Sequence, residues 1–397
     1  MDSDTMASAD SGLAEAFGDS VRRWADEQYG RERRSSVLAG ALGHDAEAWR
    51  DYARFGWLSL YLPEESGGLD GDPHAAAALM RVAGSHLLME PLLTSAVLAA
   101  CLLRPASGAL ASAEDASLLA AVCAGTAIVA VAHHEDGATH HCELRESRGG
   151  RLHGHSRAVL HAGQADHLIV SCVTGDGQAA LALVEARDVL RTPLRLVDGR
   201  SAADCGFEDV PARLLGHTTE ADPHAGLERL RDLAALALCA EAQGAVRALI
   251  VATRQYIGER VQFGSPIGSN QVLQHRMADM YLMECEIAAL AAACVDACAD
   301  RADRADRADP RADPRVESGA TARARLRAAA RVHVAHASRR IALDAVQLHG
   351  GMGMTEELPV SHWLRRILVN SVLFGSASDH LRALGQPATG AHPPRIH

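Results

Sequence analysis

The hydrophobic period of this chain changes twice, and that double change restricts its fold more than any other feature. Over the first 120 or so residues apolar side chains recur at helical spacing, with Leu13, Phe17, Val21 and Trp24 three or four apart, the stripe of an amphipathic helix. After a polar stretch, helix is predicted over 46–55, over the Ala- and Leu-rich 74–103 with an interruption at Pro91, and over 114–123. From Thr126 the period shortens. Residues 127–132 read as a strand and 151–156 as a strand and turn. Residues 165–171 and 180–185 are two strands parted by Thr174-Gly175-Asp176-Gly177, a hairpin signal. Helix then returns in long runs over 230–257, 271–299 and 322–347, with a last one over 360–374. This segregation marks an α+β protein rather than a wound α/β fold. The expected domains are an N-terminal helical domain (1–123), a middle β domain (124–218) and a C-terminal four-helix bundle (219–397).

Composition narrows the function. All 39 basic residues are Arg, so no lysine Schiff base, lysine general base or P-loop lysine exists in this chain. A net charge of −11 argues against general nucleic-acid binding, which needs basic surface. The nine cysteines show no CxxC spacing and read as reduced thiols; no metal site is expected. The N-terminus lacks the basic and apolar regions of a signal peptide, and no uncharged apolar run reaches about 18 residues, so a cytoplasmic protein without a membrane span is expected. A tandem Ala-Asp-Arg repeat near 299–315, with prolines at 310 and 314, reads as a low-complexity loop inside the bundle.

Two C-terminal motifs carry chemistry. The first runs from Tyr256 through Arg260, Phe263, Gly264 and Pro266 to Gln271, and the second from Gln347 through Gly350, Gly351 and Gly353 to Pro359. A helix ending in Arg-x-x-Phe-Gly sets a planar charged fork beside a sharp turn, which suits a diphosphate. Glycines after a helix let backbone approach a ligand, though a plain C-cap gives the same pattern.

Taken in this order, the motifs make the chain resemble the acyl-CoA dehydrogenase family over nearly its whole length. Gly56-Trp57-Leu58 with Leu62-Pro63-Glu64-Glu65-Ser66-Gly67-Gly68 is similar to the family's first-domain motif, and Leu152-x-Gly154 with residues 162–170 to its β domain. The resemblance implies FAD as cofactor, an acyl-CoA substrate, and an oligomer in which each flavin lies between subunits. It also implies that Arg260, Phe263 and Gln271 hold the diphosphate and adenosine of a neighbour's FAD, with Gln347 and Gly351 as partners to the same half.

The same resemblance exposes departures. The family's base is a Glu just before a Gly-Thr pair; here the segment is Val372-Leu373-Phe374-Gly375-Ser376, so Phe374 stands there. The alternative position for the base, on the first C-terminal helix, is Ala234. Asp232, Glu241 and Asp379 lie nearby and read as solvated charges or caps, Asp379 being the weak candidate for a displaced base. The loop that normally covers the flavin is replaced by residues 132–141 with His133, His134, His140 and His141, read as solvent-facing, and the segment flanking the flavin ring by 157–161. Three expectations follow. The first is a subunit of a heteromeric FAD-dependent acyl-CoA dehydrogenase, lacking its own Glu and assisting a second, base-bearing subunit. Its Leu373-Phe374-Gly375 ending with His380-Leu381 resembles the degenerate subunits of two-component enzymes that degrade steroid side chains and dicarboxylic acyl-CoAs. The others are a self-sufficient homo-oligomeric dehydrogenase with an unconventional base, and a non-catalytic acyl-CoA-binding pseudoenzyme.

Overall fold

The computed structural model describes residues 3–40, 43–63, 68–104, 112–135, 139–145, 150–215, 225–304 and 319–385. Helices α1 (Ser3–Gln28), α2 (Arg31–Ala39), α3 (Ala46–Arg54), α4 (Pro73–His86), a π-helical stretch (Leu92–Ala99) running into α5 (Ala100–Leu103), and α6 (Ala113–Cys123) come first. The helical run expected to break at Pro91 ends earlier, at His86, where Leu87 turns into the left-handed region; Pro91 instead caps the start of the π-helical stretch. Helix α2 was read as polar linker, because only Arg34 and Val37 of its nine residues are buried and no apolar stripe marks it. Aromatics make up only 4% of the chain, yet Trp24, Tyr29, Trp49, Tyr52 and Trp57 gather in one cluster here. Trp24 stands edge-on to Tyr52 and Trp57 at 5.0 and 5.6 Å, a favourable quadrupolar arrangement. Beneath them Tyr29 and Tyr52 donate to the buried carboxyl of Glu90, each at 3.1 Å.

The β part comprises β1 (Val129–Ala132), β2 (His140–Arg145), β3 (Arg151–Leu160), β4 (His167–Thr174), β5 (Ala179–Glu185), β6 (Leu190–Arg195) and β7 (Ser201–Leu214). Strand pairing runs β4–β2–β3–β7–β5 and back to β4, which closes a barrel; β1 adds in parallel to β4, and β6 antiparallel to β7. Leu144, Leu152, Leu168, Val170, Val184 and Phe207 fill its interior. Gly154 sits at a register shift with φ of +132°, and a side chain there would strike the carbonyl of His141, so the bulge requires glycine.

The C-terminal part contains α7 (Ala225–Glu259), a short hairpin of β8 (Val261–Gln262) and β9 (Ser265–Pro266), α8 (Gln271–Arg304), α9 (Gly319–His349), α10 (Val360–Asn370) and α11 (Ala377–Gly385). The first residues of the Ala-Asp-Arg repeat, 299–304, continue α8; the rest of it lies outside the described residues, as do Glu64 to Gly67. Helix α7 carries few enough charges and is long and apolar enough to cross a membrane, but 72% of its most apolar stretch is buried inside the protein. It is the central core helix. Against it α4 crosses very closely: a Cβ on Gly84 would lie 1.9 Å from the carbonyl oxygen of Glu241, and one on Gly244 1.9 Å from that of Arg81.

Where the three parts meet, a dry polar network joins them. Arg366 donates from Nε to Asp198 (2.8 Å), from Nη1 to Glu241 (2.7 Å) and from Nη2 to the carbonyl of Leu88 (3.0 Å). Arg200 reaches Asp198 at 2.6 Å and Asn370 at 2.8 Å. Glu241, expected to be a solvated charge, is instead 1% exposed, because two arginines and Asn370 replace its water.

Candidate functional site

Helices α7 and α9 bring the two C-terminal motifs together at one end of the pair and the positions expected for a base to the other. At their C-terminal ends the Tyr256 ring stacks on His349 with centroids 4.3 Å apart, and its hydroxyl donates to the His349 carbonyl at 3.3 Å. This contact sets the turn carrying Arg260 beside the one carrying Gly350 and Gly351. Arg260 is exposed and makes no side-chain ion pair among the described residues. The hairpin after it closes through Ile267 N–H to the Arg260 carbonyl at 2.8 Å. At its tip Phe263 takes a left-handed φ of +52° and packs on nothing, being fully exposed. Exposure of a phenylalanine and a strained backbone at one residue is costly to an isolated chain.

Gln271 opens α8 and is exposed, as are Gln347 at the end of α9 and Gly351 after it. An open depression of about 350 Å³ lies between these elements, lined by Ile267, Asn270, Val272, Leu273, Arg276 and Gln347 together with Leu348. The space beside Gly351, where a side chain would stand, is empty. All five residues singled out for the diphosphate and adenosine of FAD thus lie at one end of the bundle. They fit that half of the group in charge, space and exposed backbone.

About 37 Å away along α7, at 1.5 Å per residue, the N-terminal halves of α7 and α9 meet the barrel and the segment around Phe374. Phe374 and Ala234, the two positions at which the resemblance would place a base, line one small cavity with Glu135, Arg231, Arg327, Arg331 and His380. The cavity measures about 10 Å³, the size of one water and far below the roughly 300 Å³ of small-molecule pockets. Phe374 stacks on His133 at 6.4 Å, and Arg331 fixes the approach to it by donating to the carbonyls of Asn370 and Leu373, both at 2.9 Å.

The remaining volume is taken by an ion ladder. Arg231 holds Glu135 through Nε and Nη2 at 2.7 and 2.9 Å and Glu228 at 2.6 Å. Arg327 then bridges Glu228 at 3.1 Å and Asp232 at 2.5 Å. Burial would raise the Glu135 carboxyl, but His133 and Arg231 outweigh it and hold the group well below the usual carboxylate range. A carboxylate so stabilised in its charged form is a weak base. The ladder escaped sequence reasoning because Glu135 and Arg231 are 96 residues apart; the only signal was the i, i+3 pair Glu228 and Arg231.

Asp232, expected at the surface, is buried in this ladder. Asp379 accepts from the Ser376 N–H at 2.8 Å and hydroxyl at 2.6 Å, while Ser376 caps the Asp379 N–H at 3.3 Å, a reciprocal capping box for α11. Burial raises its carboxyl and the Ser376 bonds more than offset that, leaving it lowered. His133 and His140, read as solvent-facing, are buried. The Ser171 hydroxyl meets His133 Nδ1 at 2.7 Å and His140 Nε2 at 2.8 Å, while His140 Nδ1 is left without a partner among the described residues. Burial, with His133 adjacent, pushes His140 down to about 3, so it is neutral. Asp136 to Ala138 lie outside the described residues. Among the described residues no group of three or more His, Cys, Asp or Glu side chains is placed to hold a metal.

Comparison with known proteins now bears on this geometry. Residues 13–104 match the family model "Acyl-CoA dehydrogenase, N-terminal domain" and residues 232–387 "Acyl-CoA dehydrogenase, C-terminal domain". Acyl-CoA dehydrogenase IpdE2 of Mycobacterium tuberculosis is 28% identical over 352 residues, covering 88% of this chain and 89% of its own. Acyl-CoA dehydrogenase FadE28 of the same organism is 26% identical, with 88% and 95% covered. Among solved structures, a variant of the steroid ACAD Tcur3481-Tcur3483 superposes with a TM-score of 0.81 at 26% identity, covering 94% of this chain and 97% of that one. The ChsE4-ChsE5 complex from Mycobacterium tuberculosis gives 0.79 at 26%, with 94% and 98% covered. Helices, barrel and helical domain agree in order and in kind, and this chain belongs to the acyl-CoA dehydrogenase family of FAD-dependent oxidoreductases.

Proposed function

We propose that this chain is the subunit of a heteromeric acyl-CoA dehydrogenase that does not carry the base. It assists α,β-dehydrogenation of an acyl-CoA thioester by a second, dehydrogenase-like subunit, to whose site it lends Arg260, Phe263, Gln271, Gln347 and Gly351. The observation that carries this reading is the contrast between the two ends of α7: five exposed, unspent residues at one, and a cavity of about 10 Å³ sealed by Phe374 and an ion ladder at the other.

When bound, FAD supplies the acceptor for the hydride from the β-carbon. The guanidinium of Arg260 neutralises diphosphate charge, Gly351 admits it close to backbone, and Phe263 gives an apolar face to the adenosine. The carboxylate that removes the α-proton comes from the partner, because neither Phe374 nor Ala234 can accept one and Asp379 is committed to its cap. Two solved relatives are named as a two-chain steroid enzyme and a two-chain complex, which makes steroid-derived acyl-CoA thioesters the first substrates to try.

The test is expression alone and with a second dehydrogenase-like chain from the same source. Alone, the protein is expected to be colourless and inactive; together, the pair is expected to hold FAD and turn over. A yellow, active homo-oligomer of this chain overturns the proposal.

A further inference from the structure

The interior contains one cation too many. In the network where the three parts meet, Arg200 and Arg366 are balanced by Asp198 and Glu241. Arg34 on α2 is buried to 91% beside them, and its Nε has no acceptor; no carboxylate or carbonyl among the described residues takes a bond from its guanidinium. A buried donor left without an acceptor is unfavourable. Burial and the field of Arg366 pull Arg34 down to about 10, still charged at neutral pH.

The surroundings add positive charge. One helical turn earlier Arg31 reaches the carbonyl of Glu356 at 3.5 Å, so this face of α2 lies on the segment leading into α10. There Glu356 already serves Arg365 at 2.8 Å and His362 at 3.2 Å, and Arg365 also touches His362 at 3.1 Å. The Glu356 carboxylate therefore serves Arg365 and His362, Arg31 reaches only its backbone carbonyl, and Arg34 has no carboxylate among the described residues bonded to it.

We propose that Arg34, with Arg31, Arg365 and His362 around it, receives a phosphate-class oxyanion between α2 and the start of α10. Its guanidinium offers a planar fork that matches two oxygens of a tetrahedral anion. The surplus of about two charges over Glu356 matches a dianion better than a single carboxylate or chloride. The anion is either free phosphate or the phosphoryl group of a nucleotide, and the site is independent of Arg260.

The experiment is thermal unfolding of the full chain at constant ionic strength, titrated in parallel with inorganic phosphate, ADP and sodium chloride. Phosphate is expected to raise Tm along a saturable curve that chloride does not reproduce, as a ligand specific to the folded state does. Arg34→Gln should weaken the apparent affinity tenfold or more, in line with the roughly 1.5–3 kcal/mol of a charged hydrogen bond. Arg187→Gln, at an exposed arginine of the barrel, should leave it unchanged. If Arg34→Gln does not fold, the Arg31→Gln/Arg365→Gln double variant takes its place, with the same expectation of at least a tenfold loss. Tighter binding of ADP, lost with Arg34, identifies the nucleotide as the source; equal or weaker binding identifies free phosphate. Equal effects of phosphate and chloride, or full phosphate binding without Arg34 or without its two neighbours, overturn the proposal.

Discussion

Arg231 grips Glu135 with two parallel bonds of 2.7 and 2.9 Å, fastening the central helix to the loop that leaves β1. Bidentate geometry and only about a quarter of each side chain exposed make this pair stronger than a surface ion pair.

Its loss should be visible in acid. The Glu135 carboxyl is depressed in the folded state, so its contribution is fully present above the unfolded carboxylate pKa. It declines as pH falls below about 5 toward the folded pKa. Glu135→Gln is expected to lower stability by about 1–3 kcal/mol at pH 7 and to flatten the dependence below pH 5. Urea unfolding of both proteins from pH 3 to 7 checks this; parallel curves would contradict the assignment.

Restoring a carboxylate should not restore catalysis. Phe374→Glu places an acid at the expected position, but a cavity of about 10 Å³, enlarged only by the difference between two side chains, still has no room for an acyl chain. Assays of the isolated variant with acyl-CoA thioesters and an artificial electron acceptor are expected to show no turnover.

The opposite end should behave in the opposite way. Arg260 and Phe263 touch little of their own chain, so Arg260→Gln and Phe263→Ala are expected to change stability by no more than about 0.5 kcal/mol. In the two-chain enzyme, Arg260→Gln should weaken FAD retention about 10–100-fold, the range of one charge-assisted contact. Flavin fluorescence released on dilution measures it.

The crossing of α4 and α7 leaves no space for even a methyl group. Gly84→Ala or Gly244→Ala is expected to cost about 3 kcal/mol or more despite the better helix propensity of alanine, since backbone carbonyls block both positions. Chemical denaturation of each variant tests it.

How much of this was legible in the sequence depended on whether a local period existed. The long bundle helices were readable because their Leu and Ala residues repeat at helical spacing. Helix α2 was not, with its two buried residues, and neither was β7, whose run from Ser201 to Leu214 contains Asp, Gly and Pro and pairs with both β3 and β6. The motifs around Arg260 and Gly351 could be found from their residue order, and the stacking of Tyr256 on His349 supplies the reason they belong together. The ion ladder and the Arg366 network could not be found, because most of their partners lie 95 to 278 residues apart and nothing in a one-dimensional pattern records such a pairing. The histidines were misjudged for a related reason: both rings turn inward to Ser171, 31 and 38 residues away in sequence.

Helix α7 spans about 52 Å, and its two working ends share no side-chain contact. Arg231 and Ala234 at one end line the cavity, while Arg260 at the other is exposed. A gene copy of a complete dehydrogenase can therefore lose the chemistry of the first end by drift while selection for the partner's flavin keeps the second intact. One rigid rod makes the two traits separately heritable.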